Sequence, residues 1–199
     1  LGDVYKRQAL KWHTCAWLLL PVLIFLAGWM HWYAALPLML LTAAGLAPRK
    51  CKEPQTRDSL PAFPLFTRSS FLALAAFAAL MTLSGWGEWV NQHPDHIVRN
   101  ACLRELVASP WPVIFPDGNM LVYNTGFWLV PALAGKLAGL DAARVFVVLW
   151  GTWGLFLTWL WLCVFSGRRS LLLALLMAAF GSLLNIQCWL GLDLFRLHY

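Results

Sequence analysis

VFVVLWGTWGLFLTWLWLCVF, residues 145–165, is the stretch that decides the fold class of this chain. It contains no charged side chain, and a helix needs about 20 predominantly apolar residues to cross the hydrocarbon core of a bilayer. The stretch therefore predicts a transmembrane helix.

The composition of the whole chain supports the same class of protein. Only 12% of its 199 residues are charged and 60% are hydrophobic, whereas soluble domains carry about 25% charged residues. The 13 Trp and 12 Phe residues add to this, since aromatic rings favour the membrane–water boundary. We expect an all-α, polytopic helical membrane protein.

The hydropathy of the remaining chain predicts about six membrane spans in a single membrane domain, residues 9–199. Their approximate limits are 12–30, 33–47, 71–86, 120–138, 145–165 and 171–192. The first two spans are short, and a re-entrant hairpin is the alternative for them. A polar loop, residues 87–119, separates the third span from the fourth.

Both ends of the sequence predict an incomplete chain. Residues 1–8 match the translation of a sequencing-library adaptor, so we interpret them as an assembly artefact and exclude them from the fold. The last predicted span is followed by no closing domain. We therefore expect this chain to be the N-terminal fragment of a longer protein.

The basic residues predict the orientation. Lys and Arg are concentrated in the linker 48–70, and cytoplasmic loops are rich in both. The N-terminus is then cytoplasmic and the polar loop extracytoplasmic, although Arg168 and Arg169 fall on the outer side. The net charge of +6 thus reflects loop charges, which excludes nucleic acid as a partner. The lack of a cleavable signal and a suspected metagenomic origin favour the bacterial inner membrane.

The polar loop carries the residues most suited to chemistry. Residues 97–107 are partly amphipathic, which predicts a short helix in the plane of the interface. The residues of its apolar face are Val98, Ala101, Cys102 and Leu106. Asp95 precedes this helix, either as an N-cap that accepts from first-turn amides or as a catalytic carboxylate. Both interpretations remain open.

A metal site in the loop is a weaker hypothesis. Imidazole and carboxylate ligands suit Zn²⁺ or Mn²⁺, and His93, Asp95 and His96 are close in sequence. Pro94 keeps this backbone extended, however, and a third ligand at helical spacing is lacking. We predict no metal ligands but leave a divalent cofactor open. Glu88, at the mouth of the third span, is interpreted as a solvated charge.

From Trp86 to Asn185, the order of features resembles the GT-C superfamily of membrane glycosyltransferases, which use polyprenyl-phosphate-linked sugars. In that superfamily an early span leads into a loop with an acidic residue beside interfacial helices. A Trp-Pro element and an aromatic entry to the next span follow. The matching features here are Asp95, residues 97–107, Trp111-Pro112 and the stretch Tyr123 to Trp128.

This resemblance implies a transferase of cell-envelope biosynthesis whose partners are the bilayer and a polyprenyl-phosphate-linked sugar donor. Asp95 would be the general base. The residues expected to help bind the substrate phosphate are His93, His96, Arg99 and Arg104. Two departures are that two spans precede the pattern, and that Asp95-His96 replaces the usual Asp-Glu pair. The alternatives are an envelope lipid or polymer transporter or flippase, and a non-catalytic membrane scaffold.

Overall fold

A computed structural model of the chain describes residues 2–46, 63–90, 92 and 94–179. Regular structure in these residues is helical, apart from one antiparallel bridge between Ile114 and Met120. The helices are α1 (Gly2–Trp29), α2 (Trp32–Leu46), α3 (Arg68–Leu83), α4 (Asp95–Ala108), α5 (Gly126–Ala138) and α6 (Leu140–Ser166). A further helical stretch covers residues 171–179. The all-α prediction is confirmed.

Two of the described helices are long and apolar enough to cross a membrane, by length and composition. They are α1, from Arg7 to Trp29, and α6, with 27 residues. At about 1.5 Å per residue, α6 is ~40 Å long and exceeds the ~30 Å hydrocarbon core. The helices α2, α3 and α5 have 15, 16 and 13 residues. The prediction of six spans is therefore not confirmed, and the last one, 171–192, is described only as far as residue 179.

The outer surface of the helices is apolar. Leu18 and Phe25 on α1, and Phe71 and Leu72 on α3, are all exposed. Leaving such a side chain in water rather than burying it costs about 1.5–3 kcal/mol. This surface indicates that the chain associates with a membrane.

Helices α3 and α6 pack antiparallel, and contacts beyond their ends show how far each one reaches. At the start of α6, Arg144 contacts Glu88, which follows α3. After the end of α6, Arg169 donates to Thr67, which caps the start of α3. We call the Glu88 side the loop end and the Thr67 side the linker end. The segment 64–88 thus extends over the same length as α6.

Arg169 holds the linker end together. Its guanidinium donates hydrogen bonds to the Thr67 hydroxyl and the Pro64 carbonyl and lies 5.5 Å from the ring centroid of Trp159. Trp159 in turn donates from Nε1 to the carbonyl of Ser170 at 2.9 Å. The turn after α6 is therefore fixed beside the start of α3.

Helix α1 also runs antiparallel to α6. Trp17 stacks on Trp150, with ring centroids 5.3 Å apart, while Trp161, farther along α6, donates to the Thr14 hydroxyl at 2.9 Å. The end of α1 reaches the loop end, where Trp29 lies 5.3 Å from the ring of Trp111.

Helix α5 lies at the loop end and does not reach the linker end. Near its start, Trp128 stacks on Trp86 at 5.4 Å. Near its end, Gly135 packs directly against Ala143 in the first turns of α6. The structure therefore does not support the fourth predicted span, 120–138. Its first residues belong to a hairpin, and its helix is only 13 residues long.

Helix α4 extends beyond the predicted 97–107 and packs mainly on α5. Its buried residues are His96, Cys102, Leu103 and Leu106. Val98 and Ala101 are exposed, so the predicted apolar face is wrong in part. The buried stripe is rotated toward Leu103, because that side faces α5 and α6.

A hairpin connects α4 to α5. Its two arms pair through a hydrogen bond from the amide of Leu121 to the carbonyl of Val113 at 3.0 Å. Before it, Trp111 donates from Nε1 to the carbonyl of Leu106 at 2.8 Å and packs against Gly28 of α1. The hairpin is thereby held at the loop end.

Replacing Gly135 with Ala tests the contact between α4, α5 and α6. The new Cβ would lie 2.8 Å from the Cβ of Ala143 and 2.5 Å from a methyl group of Val107, distances that force the helices apart. We expect a loss of about 1–3 kcal/mol, measured as a lower thermal unfolding midpoint in detergent.

Gly126→Ala in the same helix is the matched control. Nothing lies within 4 Å of a Cβ added at Gly126, so this variant should unfold at the wild-type temperature or slightly above it, since alanine loses less entropy on folding. Equal effects of the two substitutions would contradict the close packing at Gly135.

Candidate functional site

The chain leaves α3 through a tight turn that positions Glu88. Gly85 and Gly87 have φ of 92° and 89°, and Glu88 itself has a φ of 66°. A left-handed conformation costs a residue with a side chain about 1–2 kcal/mol, and such residues concentrate at functional sites. The two glycines allow the turn, and the contacts of the Glu88 side chain hold the strained residue within it.

The carboxylate of Glu88 joins three parts of the chain. Its Oε2 atom accepts from Arg104 of α4 at 2.7 Å and from Arg144 of α6 at 2.5 Å. Arg144 also donates to Asp141 at 2.7 Å. We call these four residues the Glu88 ion-pair cluster. It ties the exit of α3 to both neighbouring helices.

The cluster is only partly solvated. The side chain of Glu88 is 11% exposed, against 53% for Arg104. Partial burial by itself raises the pKa of the Glu88 carboxyl, but the hydrogen bonds from Arg104 and Arg144, with the two positive charges, outweigh it and lower the pKa below its ordinary value. Glu88 is therefore a stable anion at neutral pH.

A second link joins the same turn to α4. Gln92 donates to the carbonyl of Gly85 at 2.6 Å, and Asn100 donates to the side-chain oxygen of Gln92 at 2.8 Å. The first half of α4 is thus attached to the turn through Asn100, and the second half through Arg104.

Asp95 is the first residue of α4 and is exposed. Pro94 occupies the N-cap position, so the interpretation of Asp95 as the N-cap does not hold. An acidic side chain in the first turn still interacts favourably with the helix dipole.

Two of the predicted substrate-binding residues meet at Trp86. The ring of His96 lies edge-on to it at 5.6 Å, and the guanidinium of Arg99 lies 5.7 Å from its centroid. His96 is 5% exposed. Arg104, the third, lies in the Glu88 ion-pair cluster. The fourth, His93, lies outside the described residues.

The described part of the chain offers no metal site, since no three of its His, Cys, Asp and Glu side chains come together. Its buried thiols are also unsuited to nucleophilic chemistry at neutral pH. Burial raises the pKa of Cys102 to about 11, which keeps the thiol protonated.

Sequence reasoning missed the role of Glu88. It predicted a solvated charge, whereas the structure places this carboxylate between two arginines. A local signal was present in the Gly-Trp-Gly turn before Glu88, which favours an unusual backbone. Arg144, however, is 56 residues farther along the chain, and spacing alone does not reveal such a pair.

Comparison with known proteins finds no match, whether with a family model, a curated protein or a solved structure. The function of this chain is therefore inferred from its own residues and contacts.

Replacing Glu88 with Gln should destabilise the loop end. Hydrogen bonds to charged groups contribute about 1.5–3 kcal/mol each, and the variant weakens two of them at a side chain that is 11% exposed. We expect a lower unfolding midpoint in detergent at pH 7. The control is Asp141→Asn, whose side chain is 92% exposed and whose ion pair should contribute about 1 kcal/mol or less. Equal losses would contradict a special role for Glu88.

The lowered pKa of Glu88 also predicts a pH dependence. A carboxyl whose pKa is lower in the folded state contributes stability above its ordinary pKa of 4.5, and this contribution is lost as the pH falls through the lower folded pKa. Wild type should therefore lose more stability than Glu88→Gln between pH 6 and pH 3. Parallel stability curves for the two proteins would exclude the effect.

Proposed function

We propose that this chain is part of a multi-pass membrane glycosyltransferase that uses polyprenyl-phosphate-linked sugars in bacterial cell-envelope biosynthesis. The observation that carries the proposal is the order α3, α4, α5, α6. A helix that spans the bundle leads into a loop with an acidic residue and two packed helices, and α6 returns through the bundle. The GT-C resemblance implies a span, a loop with an acidic residue beside interfacial helices and a further span, and it departs from the structure at α5, which follows the aromatic stretch but has only 13 residues. The N-terminus is cytoplasmic and the polar loop lies on the opposite side.

The position of Asp95 supports its role as the general base. It is exposed at the start of α4, and the next residues, Ile97 and Val98, are 69% and 56% exposed. Exposed apolar side chains beside a carboxylate are typical of a helix in the membrane interface. A lipid-linked donor would present its headgroup in the interface, and a base on such a helix could reach an acceptor hydroxyl within hydrogen-bond distance.

Arg99 is the best candidate to stabilise the departing lipid phosphate. It lies one helical turn after Asp95, and its guanidinium contacts the face of Trp86. No carboxylate of the described residues forms an ion pair with it, whereas Arg104 is paired with Glu88. A positioned cation stabilises the charge that develops on a phosphate leaving group.

The transporter alternative depends on polar residues within the membrane. The candidates for that role, Asn185 and Gln187, lie outside the described residues. Nothing in the described part of the chain favours transport over transfer.

Replacing Asp95 with Asn in the full-length protein tests the catalytic role. A general base contributes about 10²–10⁴-fold to the rate, so we expect the glycosylated product to fall at least about 100-fold at an unchanged protein level, with partial activity in Asp95→Glu. Product is measured by mass spectrometry of envelope glycans and lipid-linked sugars in a host that lacks its own copy. Arg99→Gln should lower the product as well.

Asp117→Asn is the matched control, because Asp117 is an exposed carboxylate in the hairpin of the same loop. It should leave the product unchanged. Wild-type amounts of product from Asp95→Asn, at a normal protein level, would remove Asp95 as the base and favour the scaffold function.

A further inference from the structure

We propose that Trp86 is a positioning residue whose ring holds the guanidinium of Arg99 in place to bind a phosphate. The inference deepens the proposed function and rests on it for one point, that this phosphate belongs to the lipid-linked donor. The contact with Trp86 also distinguishes Arg99 from the arginines that hold the two ends of the bundle together.

Those other arginines use their donors within the protein. Arg104 and Arg144 both donate to the carboxylate of Glu88, and Arg169 donates to the hydroxyl of Thr67. Each of these side chains attaches one part of the chain to another. Their guanidinium groups are therefore committed to the fold.

Arg99 is held in a different way. Its guanidinium carbon lies 5.7 Å from the ring centroid of Trp86, and it forms no hydrogen bond or ion pair with the other described residues. A guanidinium carries five N–H donors in a planar fork, and the face of a ring attracts the cation through its quadrupole without using these donors. They remain available to a ligand, and the planar group can contact two oxygens of one phosphate.

The ring of Trp86 is itself fixed by its neighbours. Trp128 stacks on it at 5.4 Å, while Phe127 and His96 meet it edge-on at 5.1 and 5.6 Å. Its backbone amide donates to the carbonyl of Met81 at 3.2 Å, which attaches the residue to the last turn of α3. The cation therefore lies on a rigid support, and a positioned group loses less conformational freedom when a ligand binds.

The ring also keeps the cation from pairing with the proposed base. Asp95 and Arg99 are four residues apart on α4, and an acid followed by an arginine at this spacing commonly forms an ion pair. Arg99 does not form this pair, because its guanidinium lies over Trp86 instead. An ion pair between the two would neutralise the base and the cation of the transfer together.

Fluorinated tryptophan separates this electrostatic role from packing. Nonsense suppression places tryptophan with an increasing number of fluorine atoms at position 86 of the full-length protein. Fluorine withdraws electrons from the ring and weakens its attraction for a cation, with little change in size. We expect the Kd for geranyl phosphate, a short-chain prenyl phosphate, to rise with each fluorine and to reach about 3- to 30-fold, as measured by titration calorimetry in detergent.

The same series at position 17 is the matched control. Trp17 also stacks on a second tryptophan, Trp150, but its described contacts include no arginine, so fluorination there should leave the Kd unchanged. A Kd that does not depend on fluorination at position 86 would overturn the proposal.

Substitutions give a second test. Arg99→Gln removes the ligand group itself and should weaken binding about 10- to 100-fold. Trp86→Phe keeps a ring and should retain more affinity than Trp86→Leu, with unfolding midpoints measured for both. Wild-type affinity in Arg99→Gln, or equal affinities in Trp86→Phe and Trp86→Leu, would contradict the proposed contact.

Inorganic phosphate distinguishes a lipid-linked donor from a free anion. It should compete for the same site but bind more weakly than geranyl phosphate, because the prenyl chain adds apolar contact. Equal affinities of the two probes would assign the site to free phosphate and overturn the donor as its ligand.

Asp95→Asn separates this inference from the proposed function. The variant should lose the glycosylated product yet bind geranyl phosphate at least as tightly as wild type, because it removes a negative charge near Arg99. Product retained in Asp95→Asn would contradict the general base, whereas binding that ignores fluorination at position 86 would contradict the role of Trp86. The two proposals therefore fail separately.

Discussion

The contact of one carboxylate with two guanidinium groups determines the arrangement of the loop end. Glu88 accepts hydrogen bonds from Arg104 and Arg144, so the exit of α3, the middle of α4 and the first turn of α6 cannot separate without breaking an ion pair. Attraction between such charges increases as water is excluded.

The two ends of the α3–α6 pair use arginine in different ways. At the loop end Arg144 neutralises a carboxylate, while at the linker end Arg169 donates to neutral oxygens and lies over the ring of Trp159. The first arrangement pairs opposite charges, and the second leaves a positive charge in place.

The position of Asp95 depends on the hydrogen bonds and ion pairs that hold α4 at the loop end. Asn100 and Arg104 attach α4 to the turn after α3. These contacts fix the position of the helix, and therefore that of its first residue, Asp95. The proposed transfer needs a carboxylate in a fixed position with a cation nearby, and Arg99 lies one helical turn after Asp95. A scaffold would need the same contacts, and Asp95 would then serve only as the acidic residue in the first turn of α4.

The sequence alone determined the helical class, the long apolar helix α6 and the existence of a helix in the polar loop after the third apolar stretch, because these depend on the composition of neighbouring residues and on local periodicity. Its fourth span, 120–138, is not confirmed, since the helix there has only 13 residues and hydropathy alone does not show how long a helix becomes. It also missed the arginine partners of Glu88, and its predicted apolar face of α4 included Val98 and Ala101, which are exposed. Only the tertiary structure decided these points, because they depend on contacts between residues far apart in the chain, which spacing along one segment does not encode.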